Sequence, residues 1–272
     1  MRIALCNEVV RDLPFPRQAA FAAALGYAGL EVAPFTLDAE APHLLPAARR
    51  QELRRAAESE GAPILGLHWL LLAPAGLSIT DDARHADTVE VMRRLIGLAA
   101  DLGARYLVHG SPAQRQIAVP GDAGRAEAAI AAAAEEAGRA RLTYLLEPLD
   151  QDQTNWATTI EEAAAIVRRI GHPALRTMVD VCAAGRGESE PVADLLRRWL
   201  PTGLIGHIHF NDRNRRAPGQ GGDRFAPILA ALRAGGYGGD AGVEPFEYVP
   251  DGAAAAAFAI GHLRGIEEAL AA

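Results

Sequence analysis

The sequence predicts a single α/β domain over residues 1–272, folded as a closed eight-stranded (β/α)8 barrel. Short apolar runs alternate with longer, alanine-rich amphipathic stretches along the chain, which is typical of βα units on a parallel sheet. The chain contains eight such units, and eight units in about 250 residues are usual for a closed barrel. The first apolar run is followed by Cys6-Asn7-Glu8 and not by a Gly-x-Gly-x-x-Gly turn, which disfavours an open dinucleotide-binding sheet.

The strands are expected at the short apolar runs. In chain order they are Arg2–Cys6, Gly29–Ala33, Ile64–Leu70, Arg105–His109, Leu142–Glu147, Arg176–Asp180, Leu204–His209 and Asp240–Glu244. The helices are expected between them, where several stretches open with a Ser, Thr or Asp cap candidate and several end near glycine. They are Arg17–Leu25, Ala47–Glu60, Asp82–Leu102, Gly124–Arg139, Thr159–Ile170, Glu190–Trp199, Phe225–Ala234 and Ala254–Ala271.

Composition and charge exclude several classes of function. All 27 basic residues are arginine, which rules out chemistry that needs a lysine amine, such as Schiff-base formation or a P-loop phosphate site. The net charge of -7 disfavours binding to nucleic acid or to anionic membranes. Cys6 and Cys182 lie far apart in the chain, as expected of reduced thiols, and no stretch reaches the length of a signal peptide or membrane span. We therefore expect a soluble cytoplasmic protein.

An ionisable residue closes each of the last four predicted strands. These residues are Glu147, Asp180, His209 and Glu244, at intervals of 33, 29 and 35 residues. Each interval is about one βα unit, so a closed barrel brings all four side chains to the same rim. Three carboxylates crowded together repel one another unless a cation lies between them. Such a ligand set favours Mn²⁺, Mg²⁺ or Co²⁺, and ligand identity alone leaves Zn²⁺ open.

With these residues the sequence resembles the sugar phosphate isomerase/epimerase group of the xylose isomerase-like barrel superfamily, over essentially the whole chain. The most specific segment runs from His207 to Gly221 and looks like that of ketose 3-epimerases. Other matching stretches are Leu5-Cys6-Asn7-Glu8-Val9, Gly66-Leu67-His68-Trp69, His109-Gly110-Ser111-Pro112, Leu146-Glu147-Pro148-Leu149, Val179-Asp180-Val181 and Val243-Glu244-Pro245-Phe246. The resemblance implies a xylose isomerase-like barrel, often assembled as a dimer or tetramer.

The resemblance also implies roles for individual residues. Glu147, Asp180, His209 and Glu244 would bind the metal, with Mn²⁺ expected first, and Glu147 and Glu244 would also be the acid/base pair. The implied reaction is isomerisation or epimerisation of a small keto sugar or related hydroxy-ketone, by proton transfer through a metal-stabilised enediolate. Arg215 lies six residues after His209, where the epimerases carry an arginine that hydrogen-bonds a substrate oxygen.

Other candidate substrate contacts have weaker support. His68 and His109 end the third and fourth predicted strands, and each could instead be a buried structural histidine. Gln153 stands six residues after Glu147, where ketose 3-epimerases have a glutamate, and Ala183 stands three residues after Asp180, where they have a histidine. Both departures remove groups that hold sugar hydroxyls, so the sequence supports the metal centre better than a hexose specificity.

Three alternative functions remain open at this stage. The same metal and glutamates could expel a β-hydroxyl or glycoside, which would make the protein a lyase or dehydratase acting on an inosose or a 3-keto sugar. An abasic-site endonuclease shares the barrel but needs more histidines and a basic DNA groove, which eight histidines and a charge of -7 disfavour. A protein without metal would point to sugar binding without catalysis.

Overall fold

Eight parallel strands close into a barrel in sequence order in the computed structural model, which describes residues 1–271. The strands are β1 (Arg2–Cys6), β2 (Gly29–Val32), β3 (Ile64–Leu67), β4 (Tyr106–His109), β5 (Thr143–Leu146), β6 (Leu175–Asp180), β7 (Ile205–Phe210) and β8 (Asp240–Val243). Strand β1 pairs with both β2 and β8, which completes the closure. The predicted (β/α)8 barrel is confirmed.

Helices lie along the chain between these strands. Those of residues 1–271 are α1 (Phe15–Ala24), α2 (Ala47–Ser59), α3 (Asp82–Leu102), α4 (Asp122–Arg139), α5 (Ile160–Ile170), α6 (Val181–Gly187), α7 (Val192–Trp199), α8 (Phe225–Ala234) and α9 (Gly252–Ala271). In α4 the small side chains of one face are buried: Ala126, Ala129, Ala133 and Ala137. Within the described residues, no helix is both long enough and apolar enough to cross a bilayer.

Two differences from the sequence prediction have clear local causes. Strand β3 ends at Leu67, three residues before the predicted end, because Trp69 has a φ of +50°, which a β-strand cannot accommodate. The short helix α6 was not predicted, because its sequence contains two glycines, Gly185 and Gly187, which disfavour a helix. It forms because the Asp180 carboxylate accepts a hydrogen bond from the Ala183 backbone N–H at 2.6 Å and so caps the first turn.

The strand register places the predicted ligand residues at one end of the barrel. Asp180 pairs with His209, and His209 pairs with Gly242 on the next strand. Glu147 and Glu244 follow directly after the last residues of β5 and β8. All four side chains therefore start from neighbouring strands at the carboxyl end of the sheet, where barrels of this class place their sites.

Candidate metal centre

The four residues that close the last four strands meet in a buried cluster. Each of Glu147, Asp180, His209 and Glu244 offers one ligand atom, and these atoms lie within 4.8 Å of one another. Nδ1 of His209 is central: it lies 2.9 Å from Glu244 Oε2, 3.5 Å from Glu147 Oε1 and 4.0 Å from Asp180 Oδ2. We call these four side chains the quartet.

The surroundings of His209 show which of its nitrogens is available. Its Nε2 lies 2.8 Å from Glu31 Oε1, whereas its buried Nδ1 has no hydrogen-bond partner of suitable geometry among residues 1–271. An orphaned nitrogen facing three carboxylates is what a metal ligand requires, and the other nitrogen is held as metal-binding histidines usually are. The quartet therefore fits a divalent cation, with three oxygen donors and one nitrogen donor.

Glu31 is a buried carboxylate inside the barrel and collects several donors. It extends from β2, is fully buried, and accepts hydrogen bonds from the Tyr106 hydroxyl at 2.8 Å and from His207 at 3.0 Å besides that from His209. Burial alone would raise the pKa of Glu31, but the charges of His207 and His209 outweigh it and hold that pKa well below its usual range.

Glu244 is supported by a second chain of buried groups. His68 lies between two carboxylates, with Nδ1 2.9 Å from Glu244 Oε1 and Nε2 3.0 Å from Glu8 Oε2. Burial alone would lower the pKa of His68, but Glu8 and Glu244 raise it well above its usual value, so the ring donates to both carboxylates. The structure thus places His68 behind Glu244 and fully buried, rather than on the surface of the open cavity described below.

Asp180 is oriented by a neighbouring amide. Asn211 donates from Nδ2 to Asp180 Oδ2 at 2.7 Å, and its Oδ1 accepts from the Cys182 backbone N–H at 2.8 Å. Because the other oxygen of Asp180 caps α6, the carboxylate is fixed by two donors before any cation binds. Asp180 therefore links the start of α6 to the quartet.

Glu147 is oriented by the segment after β4. The fully buried Arg115 donates from Nη1 to the Glu147 backbone carbonyl at 2.7 Å. Burial lowers the pKa of Arg115 to about 10, although Glu147 opposes the shift, so the guanidinium remains charged near neutral pH. A Cβ on Gly110 would overlap Oε2 of Glu147, so only glycine leaves room for that carboxylate.

The three carboxylates of the quartet lie close together, and their charges shift the pKa values of the quartet residues. Burial and the charges of Glu147 and Glu244 raise the pKa of Asp180 to about 7. Burial would also raise the pKa of Glu244, but His209 and His68 outweigh it and lower the pKa to about 2. Burial would lower the pKa of His209, yet Glu244 and Glu31 raise it well above its usual value. Protons at Asp180 and His209 therefore offset the charge that a cation would neutralise.

The quartet opens into a cavity at the carboxyl end of the barrel. The quartet members Glu147, Asp180 and Glu244 line this cavity together with Trp69, Gly110, Pro112, Leu149, Asp150, Gln153, Cys182, Arg186, Arg215 and Phe246. We call it the open cavity. Both residues of the predicted acid/base pair therefore lie at its surface and at the quartet.

One wall of the open cavity is built from aromatic rings and a guanidinium. Arg215 has a φ of +70°, and its guanidinium carbon lies 4.9 Å from the centre of the Phe246 ring. Backbone N–H groups of Phe246 and Glu247 donate to the Arg215 carbonyl at 2.8 and 2.9 Å, which holds this unfavourable conformation in place. Trp69 packs edge-on against Phe246 at 6.2 Å between ring centres.

The other two predicted substrate contacts lie in different environments. Gln153 is at the surface of the open cavity, where its Nε2 donates to Asp150 Oδ2 at 3.0 Å. His109 is fully buried, with Nδ1 2.8 Å from the Tyr144 hydroxyl and Nε2 without a partner among the described residues. Burial and Arg115 lower the pKa of His109 to about 3, so its ring is neutral.

Both cysteines are free and buried, as the sequence predicts of reduced thiols. Cys182 lines the open cavity, but burial and the charge of Asp180 raise its pKa to about 12. A thiol that stays protonated is a poor nucleophile. The side chain therefore contributes packing rather than covalent chemistry.

Four buried groups that support the quartet were missed by sequence reasoning: Glu8, Glu31, Asn211 and Arg115. Glu31 lies inside an apolar run and Glu8 stands two residues after the end of another, so a charge in or near a buried strand was the available signal. Nothing in the sequence distinguishes Arg115 from the many exposed arginines.

Comparisons with known proteins agree with the barrel fold. Residues 19–266 match a family described as the xylose isomerase-like TIM barrel. An L-ribulose 3-epimerase from Mesorhizobium japonicum is 29% identical over 62% of this chain, and a D-psicose 3-epimerase from Agrobacterium fabrum is 30% identical over 46%. The aligned regions span 58% and 43% of those two proteins.

Solved structures extend the similarity of fold to the whole barrel. The structure of D-psicose 3-epimerase with D-tagatose from Clostridium cellulolyticum H10 superposes with a TM-score of 0.83. It covers 98% of this chain and 99% of its own at 18% sequence identity. At that identity the match establishes the shared barrel and nothing finer.

Proposed function

This chain belongs to the xylose isomerase-like TIM barrel family, and on that premise we propose that it is a divalent-metal-dependent isomerase or epimerase. Its substrate is a small keto sugar or a related hydroxy-ketone, and the expected metal is Mn²⁺. The observation that carries the proposal is the quartet itself: three carboxylates surround an orphaned imidazole nitrogen at the base of an open cavity. The ketose 3-epimerases among the relatives support the same reaction class.

The residues divide between holding the metal and moving protons. Glu147, Asp180, His209 and Glu244 would hold a divalent cation, which would polarise the substrate carbonyl, acidify the neighbouring C–H bond and offset the negative charge on the substrate oxygens. Glu147 and Glu244 reach the open cavity from β5 and β8, the two outer strands of the four. One carboxylate removes the proton and the other returns a proton to the opposite face or to the neighbouring carbon.

The two glutamates differ in their remaining hydrogen bonds. Oε1 of Glu244 lies against His68, which in turn contacts Glu8. Oε2 of Glu147 packs on Gly110, and both Glu147 and Gly110 line the open cavity. Glu147 therefore has an oxygen free to meet substrate, and Glu244 is held by a buried donor. Arg215, which lines the open cavity above the Phe246 ring, would donate to a substrate oxygen.

The test is deuterium exchange in D₂O by Mn²⁺-loaded protein with a panel of keto sugars and keto acids. We expect deuterium to enter the carbon next to the carbonyl while an isomer or epimer of unchanged skeleton appears in the proton NMR spectrum. Glu147→Gln and Glu244→Gln should each slow this by about 10²–10⁴-fold, the usual contribution of a positioned acid or base. Glu127→Gln, which removes an exposed ion pair with Arg169 between the outer helices, is the matched control and should behave as wild type.

Product identity decides between the proposal and its main alternative. A dehydrated product or a released glycoside would identify the protein as a lyase acting on an inosose or 3-keto sugar. Failure to exchange with any member of the panel, with the metal shown to be bound, would contradict both reactions.

A further inference from the structure

A partly buried ion pair between Asp150 and Arg186 forms the wall of the open cavity next to Gln153. Asp150 is only 4% exposed, and its Oδ2 lies 3.1 Å from Arg186 Nε and 3.0 Å from Gln153 Nε2. Arg186 also donates from Nη2 to Asp152 Oδ2 at 2.7 Å. We call Asp150 and Arg186 the polar wall. On its far side lies a separate polar groove that includes Gly185, Gly187 and Arg213, so the polar wall is a partition between two cavities.

The polar wall is tied to the quartet by short segments of chain. Asp150 is three residues after Glu147, and Arg186 is six residues after Asp180 on the short helix α6. Gly187 allows α6 to approach the backbone of Asp150 closely, because a Cβ at position 187 would lie 3.3 Å from Cα of Asp150. The wall therefore has a defined position relative to the reacting end of the cavity.

The arrangement accounts for one departure from ketose 3-epimerases. With glutamate at position 153, as in those enzymes, a second carboxylate would face Asp150 at hydrogen-bond distance and repel it. The amide of Gln153 donates to Asp150 instead. Ketose 3-epimerases have a histidine where this chain has Ala183, and here Arg186 supplies hydrogen-bond donors from the same helix. Asp150 accepts hydrogen bonds from both Gln153 and Arg186, so the three side chains form one hydrogen-bonded group.

The charges of the polar wall select the kind of group it binds. Arg186 already forms ion pairs with Asp150 and Asp152, so its positive charge is offset and has little left to attract a phosphate or carboxylate. A hydroxyl can accept from Arg186 Nη1, which the two ion pairs leave available, and donate to the Asp150 carboxylate at the same time.

We propose that the polar wall is the specificity element of the open cavity and binds hydroxyl groups on the carbons remote from the carbonyl of an uncharged ketose. The proposal rests on the proposed function for the identity of the substrate as a ketose. It assigns recognition to Asp150 and Arg186, while the quartet carries the reaction.

The experiment measures KM and kcat for deuterium exchange with a series of ketoses of increasing length. The series consists of dihydroxyacetone, a tetrulose, pentuloses, hexuloses and the matching terminal phosphates. Arg186→Met should raise KM for pentuloses and hexuloses about tenfold or more, the loss expected for a hydrogen bond to a charged group, and leave kcat nearly unchanged. It should not change KM for dihydroxyacetone, which has no remote hydroxyls. Wild type should prefer each free ketose to its phosphate. Arg169→Met, which removes an exposed arginine from an outer ion pair, is the matched control.

Asp150→Asn provides a second variant of nearly unchanged shape and should produce the same dependence on substrate length. Any of three results would overturn the proposal: a KM increase that is equal for dihydroxyacetone and hexuloses, no KM increase in either variant, or a preference of wild type for the phosphates.

Calorimetric binding of unreactive pentitols and hexitols is a second measurement, which requires no turnover. If the protein exchanges no ketose but Arg186→Met loses polyol binding, the proposed reaction is rejected and the role of the polar wall in binding is retained. If Arg186→Met binds the polyols as wild type does, the role of the polar wall is rejected.

Discussion

Individual buried side chains show that the quartet is supported from behind by further carboxylates. Glu31 holds His209 through Nε2, and the pair of Glu8 and His68 holds Glu244 through Oε1. In each case a carboxylate and an imidazole alternate, so that Nε2 of His209 and Oε1 of Glu244 each have a buried partner. This arrangement fixes the ring of His209 with Nδ1 toward the other three ligands.

Glu31→Gln tests this support directly. Glutamine has one acceptor oxygen where Glu31 has two, so the donors of His207, His209 and Tyr106 can no longer all be satisfied. We expect the affinity for Mn²⁺ to fall about 10–100-fold, as usual when a group behind a ligand is changed. Calorimetric titration of the metal measures this, with Glu127→Gln as control. Unchanged affinity in Glu31→Gln would show that His209 does not depend on Glu31.

At the scale of the secondary-structure elements, most of the architecture and the quartet could be predicted from the sequence. The ends of β5 to β8 were recognisable because an ionisable residue interrupts or follows an apolar run, and the spacing of one βα unit made these ends neighbours. Helix α6 was not recognisable, because its stability comes from the Asp180 cap and from tertiary packing and not from helix propensity. The position of Trp69 at positive φ likewise depends on its surroundings rather than on residue type.

The segment after β4 offers a test at this scale. In Gly110→Ala the new methyl would overlap Oε2 of Glu147, the mobile end of a side chain, so we expect the protein to fold and Glu147 to move. Metal affinity and deuterium exchange should each fall at least tenfold. Gly124→Ala on α4, where a Cβ meets nothing within 4 Å, is the matched control and should leave both unchanged. Equal effects of the two substitutions would contradict the close packing of Glu147 on Gly110.

At the scale of the whole molecule, the quartet makes stability depend on metal and pH together. Without metal, the pKa of Asp180 is about 7 in the folded protein, against about 3.9 in an unfolded chain. The folded state therefore holds a proton that the unfolded chain has lost between about pH 4 and pH 7, and the free energy of unfolding falls as pH rises through that window. The raised pKa of His209 continues this loss at higher pH.

A bound cation replaces both protons, so metal should stabilise the protein increasingly as pH rises. We expect the difference in melting temperature between Mn²⁺-loaded and EDTA-treated protein to widen from pH 5 to pH 8, followed by circular dichroism. A difference that stays constant or narrows over this range would show that the quartet does not take up the metal in place of protons. The dimer or tetramer implied by the family resemblance stays a prediction.

The central claim is that Glu147, Asp180, His209 and Glu244 together hold one divalent cation beside the open cavity. Anomalous diffraction from crystals of the Mn²⁺-loaded protein tests it most directly. We expect one strong peak about 2.0–2.4 Å from His209 Nδ1 and from an oxygen of each of the three carboxylates, the range of metal–ligand distances in oxygen-rich sites. A metal that contacts fewer than three of these four residues would contradict the claim.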